Sequence, residues 1–111
     1  MRLFMVELAV ADLGASLAFY RDRLGLPVEL LDAANGFALL HAGARLALKR
    51  GTAGGGATVH LEVADLDAEL ARLAEPAEVK ASGEGYRRAV LRDPDGYTVV
   101  LFEWTGGRAG P

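Results

Sequence analysis

A chain of 111 residues, 51% of them apolar, buries roughly two-thirds of its unfolded surface on folding, enough for one core and too little for two independent domains. Its twelve basic and fifteen acidic residues leave a net charge of −3 and are mixed along the sequence, so no basic face offers itself to nucleic acid or to anionic lipid. The absence of cysteine excludes disulfides, thiolate metal sites and a cysteine nucleophile.

Residues 3–10 alternate as a strand, with Phe4, Val6, Leu8 and Val10 on one face and Leu3, Met5, Glu7 and Ala9 on the other. Glu7 stands where a secretory signal would continue its apolar run, and no stretch approaches about 18 uncharged apolar residues, so a cytoplasmic protein is expected. Asp12 suits a helix N-cap, and Leu13, Leu17, Tyr20 and Leu24 recur at helical spacing up to Gly25, a residue suited to the position after a helix. After Pro27 come three short strands, Val28 to Leu31, Phe37 to His41 and Arg45 to Lys49, separated by the turn-prone Asn35-Gly36 and by Gly43. The glycine-rich stretch 51–56 reads as a flexible connector, because it lacks the Lys-Ser/Thr ending of a phosphate loop.

The same order then restarts. A strand from Thr58 to Val63 leads into an Asp65-capped helix with Leu66, Leu70 and Leu73, followed by Pro76 and strands near Ala77 to Lys80, Tyr86 to Arg92 and Tyr97 to Trp104. Asp93-Pro94-Asp95-Gly96 between the last two strands has tight-hairpin chemistry. The restart is literal: residues 6–18 return 53 positions later with nine of thirteen identical, as when one unit unable to bury its own apolar face is used twice. The mismatches, Glu7/His60, Ala9/Glu62, Gly14/Asp67 and Ser16/Glu69, fall where a ligand or water is the expected neighbour. The prediction is a single α+β domain over 1–111. It comprises two βαβββ modules, about 2–50 and about 57–104, and a frayed tail 105–111. Two curved mixed sheets would form a concave cup, with the helices on the convex faces.

Val10-Ala11-Asp12-Leu13 with Ser16, Phe19-Tyr20 and Leu24-Gly25-Leu26, then Val63-Ala64-Asp65-Leu66, then Asp93-Pro94-Asp95-Gly96-Tyr97 running into Leu101-Phe102-Glu103, together resemble the vicinal oxygen chelate superfamily of glyoxalases, bleomycin-resistance proteins and ring-cleaving dioxygenases. The resemblance spans about residues 2–104 and is specific to the superfamily, not to one activity. In its metal-dependent members each of four strands gives one His, Glu or Gln to a divalent ion. Carried over, those positions are Met5, around Ala47, Thr58 and Val100, none a normal ligand for a hard ion. A site displaced by two residues would gain Glu7 and His60 but also Lys49 and Phe102, so no metal and no cofactor are expected. The resemblance also implies a homodimer.

On this alternation the cup holds Glu7, Arg45, Lys49, His60, Glu62, Thr98 and Phe102, with Trp104 near the rim. Charged groups would orient a small organic ligand while Phe102 or Trp104 stacks on a flat one. The plainer alternative pairs Glu7 with Lys49 or Arg45 in a wet groove and leaves Trp104 covering core or a subunit contact. His60 is the one candidate general base, with Glu62 or Glu7 to orient it. His41, Glu103, Arg87 and Arg88 read as structural or surface residues, and Ser16 and Ser82 lack a nucleophile-elbow context. The leading expectation is a metal-independent binding protein that sequesters an antibiotic or an aromatic metabolite. The alternatives are a lyase, isomerase or dioxygenase using a displaced metal or His60, and a module whose cup is filled by its own side chains.

Overall fold

The structure, a computed structural model, describes residues 4–53, 57–83 and 85–105; the last three residues of the glycine-rich connector, the expected strand start at Leu3 and all but the first residue of the tail lie outside them. The described residues form two compact units: the first runs to Ala57 and also holds Asp93–Tyr97, and the second holds Thr58–Arg92 and the chain from Thr98 onward.

In the first unit, β1 (Met5–Val10) is followed by α1 (Leu13–Leu17), then β2 (Val28–Asp32), β3 (Phe37–Ala42) and β4 (Ala44–Arg50), hydrogen-bonded in the order β1-β4-β3-β2. β1 and β4 run parallel; the other neighbours are antiparallel. Register puts Leu8 beside Leu48 and Leu48 beside Ala38, and Leu40 beside Leu46, so one face of the sheet is continuous apolar surface, and all five are buried. The helical segment lays Leu13, Leu17, Phe19 and Tyr20 into the same core. Asp12 caps it as expected, its carboxylate accepting from the Ala15 N–H at 3.2 Å.

The helix departs from the regular periodicity in one respect. After Leu17 it widens into a π-helical stretch, Ala18–Arg23, in which Leu24 N–H reaches back five residues to the Phe19 carbonyl at 2.9 Å. Within this stretch two consecutive rings, Phe19 and Tyr20, are both buried and meet edge to face at 5.0 Å. Gly25, at φ 82, ends the segment in the left-handed region.

The second unit repeats the plan: β5 (Thr58–Glu62), α2 (Leu66–Leu73), β6 (Lys80–Ala81), β7 (Tyr86–Arg92) and β8 (Thr98–Trp104), in the order β5-β8-β7-β6 with only β5 and β8 parallel. Leu66, Leu70 and Leu73 pack with Ala89, Leu91, Val99 and Leu101, all buried. Asp65 caps α2 as Asp12 caps α1, accepting from Ala68 N–H at 3.0 Å. The strand expected at Ala77 to Lys80 is shorter and shifted, since only Lys80 and Ala81 find partners on β7 while Ala77 N–H turns back to the Glu75 carbonyl.

Residues 93–97, between β7 and β8, belong to the first unit. The Asp93 carboxylate is buried and accepts from Tyr20 Oη at 2.7 Å, Asp95 N–H at 2.9 Å and Tyr97 N–H at 2.8 Å. Asp95 accepts from Ala11 N–H at 3.0 Å, and Tyr97 Oη donates to the Ala9 carbonyl at 2.9 Å.

Candidate functional site

Alternation along β5, β7 and β8 sends two sets of side chains to opposite faces of the second sheet. The α2 side is closed by leucines and by Arg87, whose guanidinium donates to Asp67 at 3.0 and 3.2 Å and to Glu103 at 2.8 Å. The Asp67 hydrogen bond is the chief reason the Arg87 pKa is raised. Glu103, expected at the surface, is thus partly buried and engaged, and Arg87 ties α2 to the strands.

The opposite face carries a hollow of about 190 Å³ lined by His60, Tyr86, Arg88, Val100, Phe102 and Trp104. The register explains why these six meet: His60 lies beside Val100, Phe102 beside Arg88, and Trp104 beside Tyr86. The three rings stand edge to face, Phe102 to Trp104 at 5.4 Å, Tyr86 to Trp104 at 6.1 Å and Tyr86 to Phe102 at 6.3 Å. Such pairs hold each other's orientation, contributing ~0.5–1.5 kcal/mol beyond buried area. Trp104 Nε1 donates to Glu62 Oε1 at 3.2 Å, so Glu62 props the indole. Val100 closes the floor, 4% exposed.

Of the expected cup residues, His60, Phe102 and Trp104 therefore line one hollow, with Glu62 behind the indole. Tyr86 and Arg88 complete it and were not anticipated, Arg88 having been read as plain strand surface. Their even numbers, two and four residues before Val90 on a strand antiparallel to β8, were the available signal; it needed the β7–β8 register to be used.

Glu7, Arg45 and Lys49 lie in the first unit, and the structure gives two of them other duties. Arg45 donates to Glu29 at 2.8 Å and stacks over the Phe4 ring at 4.6 Å, and this hydrogen bond is the main reason the Glu29 carboxyl is held below its usual range. Lys49 Nζ donates to the Asn35 carbonyl at 3.0 Å. The pairing of Glu7 with Arg45 or Lys49 is accordingly not formed; Glu7 sits exposed opposite Ala47. His41 is exposed at the end of β3. Ser16 is fully buried, its Oγ 3.5 Å from Asp95, which suits packing and not nucleophilic attack.

The first unit has its own hollow beside Asp12, Leu31 and Arg50, of about 400 Å³. Its lining is mainly aliphatic and holds no aromatic ring, and the Asp12 carboxylate is spent on the helix cap, which leaves Arg50 to meet a ligand there.

The residues at the positions where metal-dependent relatives carry ligands do not fit a hard divalent ion. Met5, Ala47, Thr58 and Val100 supply a thioether, a methyl group, a hydroxyl and an isopropyl group. Among the described residues no three His, Asp or Glu side chains gather where an ion could be held. Nor is any helix among them long and apolar enough to cross a membrane.

A glyoxalase-like domain matches residues 5–102. Among solved structures, a glyoxalase/bleomycin resistance protein from Catenulispora acidiphila is 30% identical over 89% of this chain and 95% of its own, with a TM-score of 0.69. An antibiotic binding protein from Streptomyces sp. CB03234 is 24% identical over 95% and 97%, TM-score 0.78. A lactoylglutathione lyase from Agrobacterium tumefaciens is 23% identical over 92% of each, TM-score 0.77. No curated protein matches the sequence. The doubled βαβββ plan, the caps and the Asp93–Tyr97 turn agree with the match along nearly the whole length, and the chain belongs to the glyoxalase-like domain family of the vicinal oxygen chelate superfamily.

Proposed function

We propose that this protein is a metal-independent small-molecule-binding protein of the glyoxalase/bleomycin-resistance type, holding a planar aromatic ligand against Trp104, Phe102 and Tyr86. The observation that carries this reading is the ring-walled hollow on a sheet whose family ligand positions hold groups unable to grip an ion. Binding without turnover needs only affinity, and three rings held at fixed angles supply apolar area and orientation at little entropic cost. That the same fold serves a protein described as antibiotic-binding supports the reading. His60, on the wall beside Val100, acts here as a hydrogen-bonding side chain for the ligand.

The test is isothermal titration of the purified protein with a panel of flat aromatic compounds, with and without EDTA, followed by chromatography of the ligand. Binding that survives EDTA, returns the ligand unchanged and weakens about tenfold or more in Trp104→Ala is expected. A ligand that is consumed, or affinity that depends on an added divalent ion, would place the protein among the enzymes of its superfamily instead.

A further inference from the structure

One row of side chains crosses the ring-bearing face of the second sheet in register: Glu62 on β5, Phe102 on β8, Arg88 on β7 and Lys80 on β6. The two ends of this row differ in how far their charges are satisfied. Glu62 is engaged by the indole N–H of Trp104. The Arg88 guanidinium lines the hollow with no side-chain hydrogen bond or ion pair among the described residues. Other arginines of the chain are held: Arg45 by Glu29, Arg72 by Glu69, Arg87 by Asp67 and Glu103, and Arg92 by Thr98. Glu78 lines the adjoining hollow with Lys80, Arg88 and Val90 but is ion-paired to neither cation. A planar fork of N–H donors is therefore available at the edge of an aromatic cage, with a second cation beside it.

The hollow is open, and its volume of about 190 Å³, against the roughly 150 Å³ apolar cavity that holds benzene, gives room for one six-membered ring and a small substituent.

Building on the aromatic reading of this hollow, we propose that it selects a single aromatic ring bearing an anionic group such as a carboxylate. The ring lies among Trp104, Phe102 and Tyr86, and the anion accepts from the Arg88 guanidinium, with Lys80 adding attraction from the next strand. A neutral amide analogue keeps the ring contacts and one carbonyl acceptor but forfeits the ion pair and the second, parallel hydrogen bond of a carboxylate.

The experiment titrates the protein with benzoate and with its neutral isostere benzamide at pH 7 and low ionic strength, reading the fluorescence of Trp104, the sole tryptophan, and repeating each titration by calorimetry. Benzoate is expected to bind about tenfold more tightly than benzamide, a preference that shrinks with added salt. Arg88→Gln should weaken benzoate about tenfold, more than it weakens benzamide, and so remove that preference; Arg88 is exposed, and an unchanged melting curve verifies that the variant folds. Equal affinities in the wild type, or a benzoate preference that survives in Arg88→Gln, overturn the anion assignment and leave the aromatic site standing. Silence towards both probes in fluorescence and calorimetry overturns the aromatic reading and this inference with it.

Discussion

Tyr20 is wholly buried, and its hydroxyl donates at 2.7 Å to a carboxylate that also accepts two backbone N–H groups. Burial first, and then the hydrogen bond and charge of Asp93, push its pKa far above the ordinary value of 10.0. The folded state thus favours the protonated phenol. Its contribution to stability is complete below about pH 10, where the unfolded chain's tyrosine begins to ionise, and is lost as pH climbs from there towards the raised folded value. Tyr20→Phe should lower stability by about 1.5–3 kcal/mol at pH 7, the range for hydrogen bonds to charged groups. Denaturant melts from pH 7 to 11 should show the gap between wild type and variant narrowing above pH 10; a constant gap would mean that only packing was lost. Tyr20 and Asp93 are among the residues on which the family resemblance rests, and both prove to be architecture. Signature residues that assemble a scaffold announce the fold while saying nothing of the ligand.

At the level of single elements, the internal repeat supplies its own control. Both helices start on an aspartate with extended backbone, φ −133 at Asp12 and −141 at Asp65, and both end in the left-handed region. The first ends on Gly25, the second on Ala74 at φ 52, the only non-glycine residue at positive φ among the described residues. An alanine there carries the Cβ strain that glycine avoids. Ala74→Gly should raise stability by about 0.5–1 kcal/mol and Gly25→Ala should lower it by about 1 kcal/mol or more, since space alone is not what Gly25 lacks. Matched urea titrations would measure both, and opposite signs are the result required. The caps, the strands and their order were legible because each depends on local chemistry or period. The π-helical widening was not, since Leu13, Leu17, Tyr20 and Leu24 satisfy a regular helix and only the burial of both Phe19 and Tyr20 breaks it. The site was half legible for a related reason. Period two puts His60, Phe102 and Trp104 on one face, but which residues of β7 join them depends on a hairpin register set by the Asp93–Gly96 turn.

Over the whole molecule, the duplication visible in residues 6–18 and 59–71 becomes two sheets of the same strand order, yet the halves are not equivalent. The seven residues expected to share a cup are divided between the units. Arg45 and Lys49 are tied up in the first, whereas the second carries the three rings that line its hollow. The sequence pattern carried the symmetry of the halves and could not carry this asymmetry, because ion pairs such as Arg45 with Glu29 join residues from strands whose pairing alternation alone does not specify.

The excursion of residues 93–97 into the first unit also bears on how such a chain can be divided. Asp93, Asp95 and Tyr97 satisfy Tyr20, the Ala11 N–H and the Ala9 carbonyl, so the amino-terminal half lacks partners for part of its own interior. A peptide ending at Ala57 should remain unfolded by circular dichroism, and mixing it with the 58–111 peptide should restore the native spectrum by fragment complementation. Replacing Asp93 by Ala in the second peptide should abolish that rescue. The first repeat thus depends on a loop that only the second repeat carries, so duplication has left the two halves unequal in what each needs from the rest of the chain.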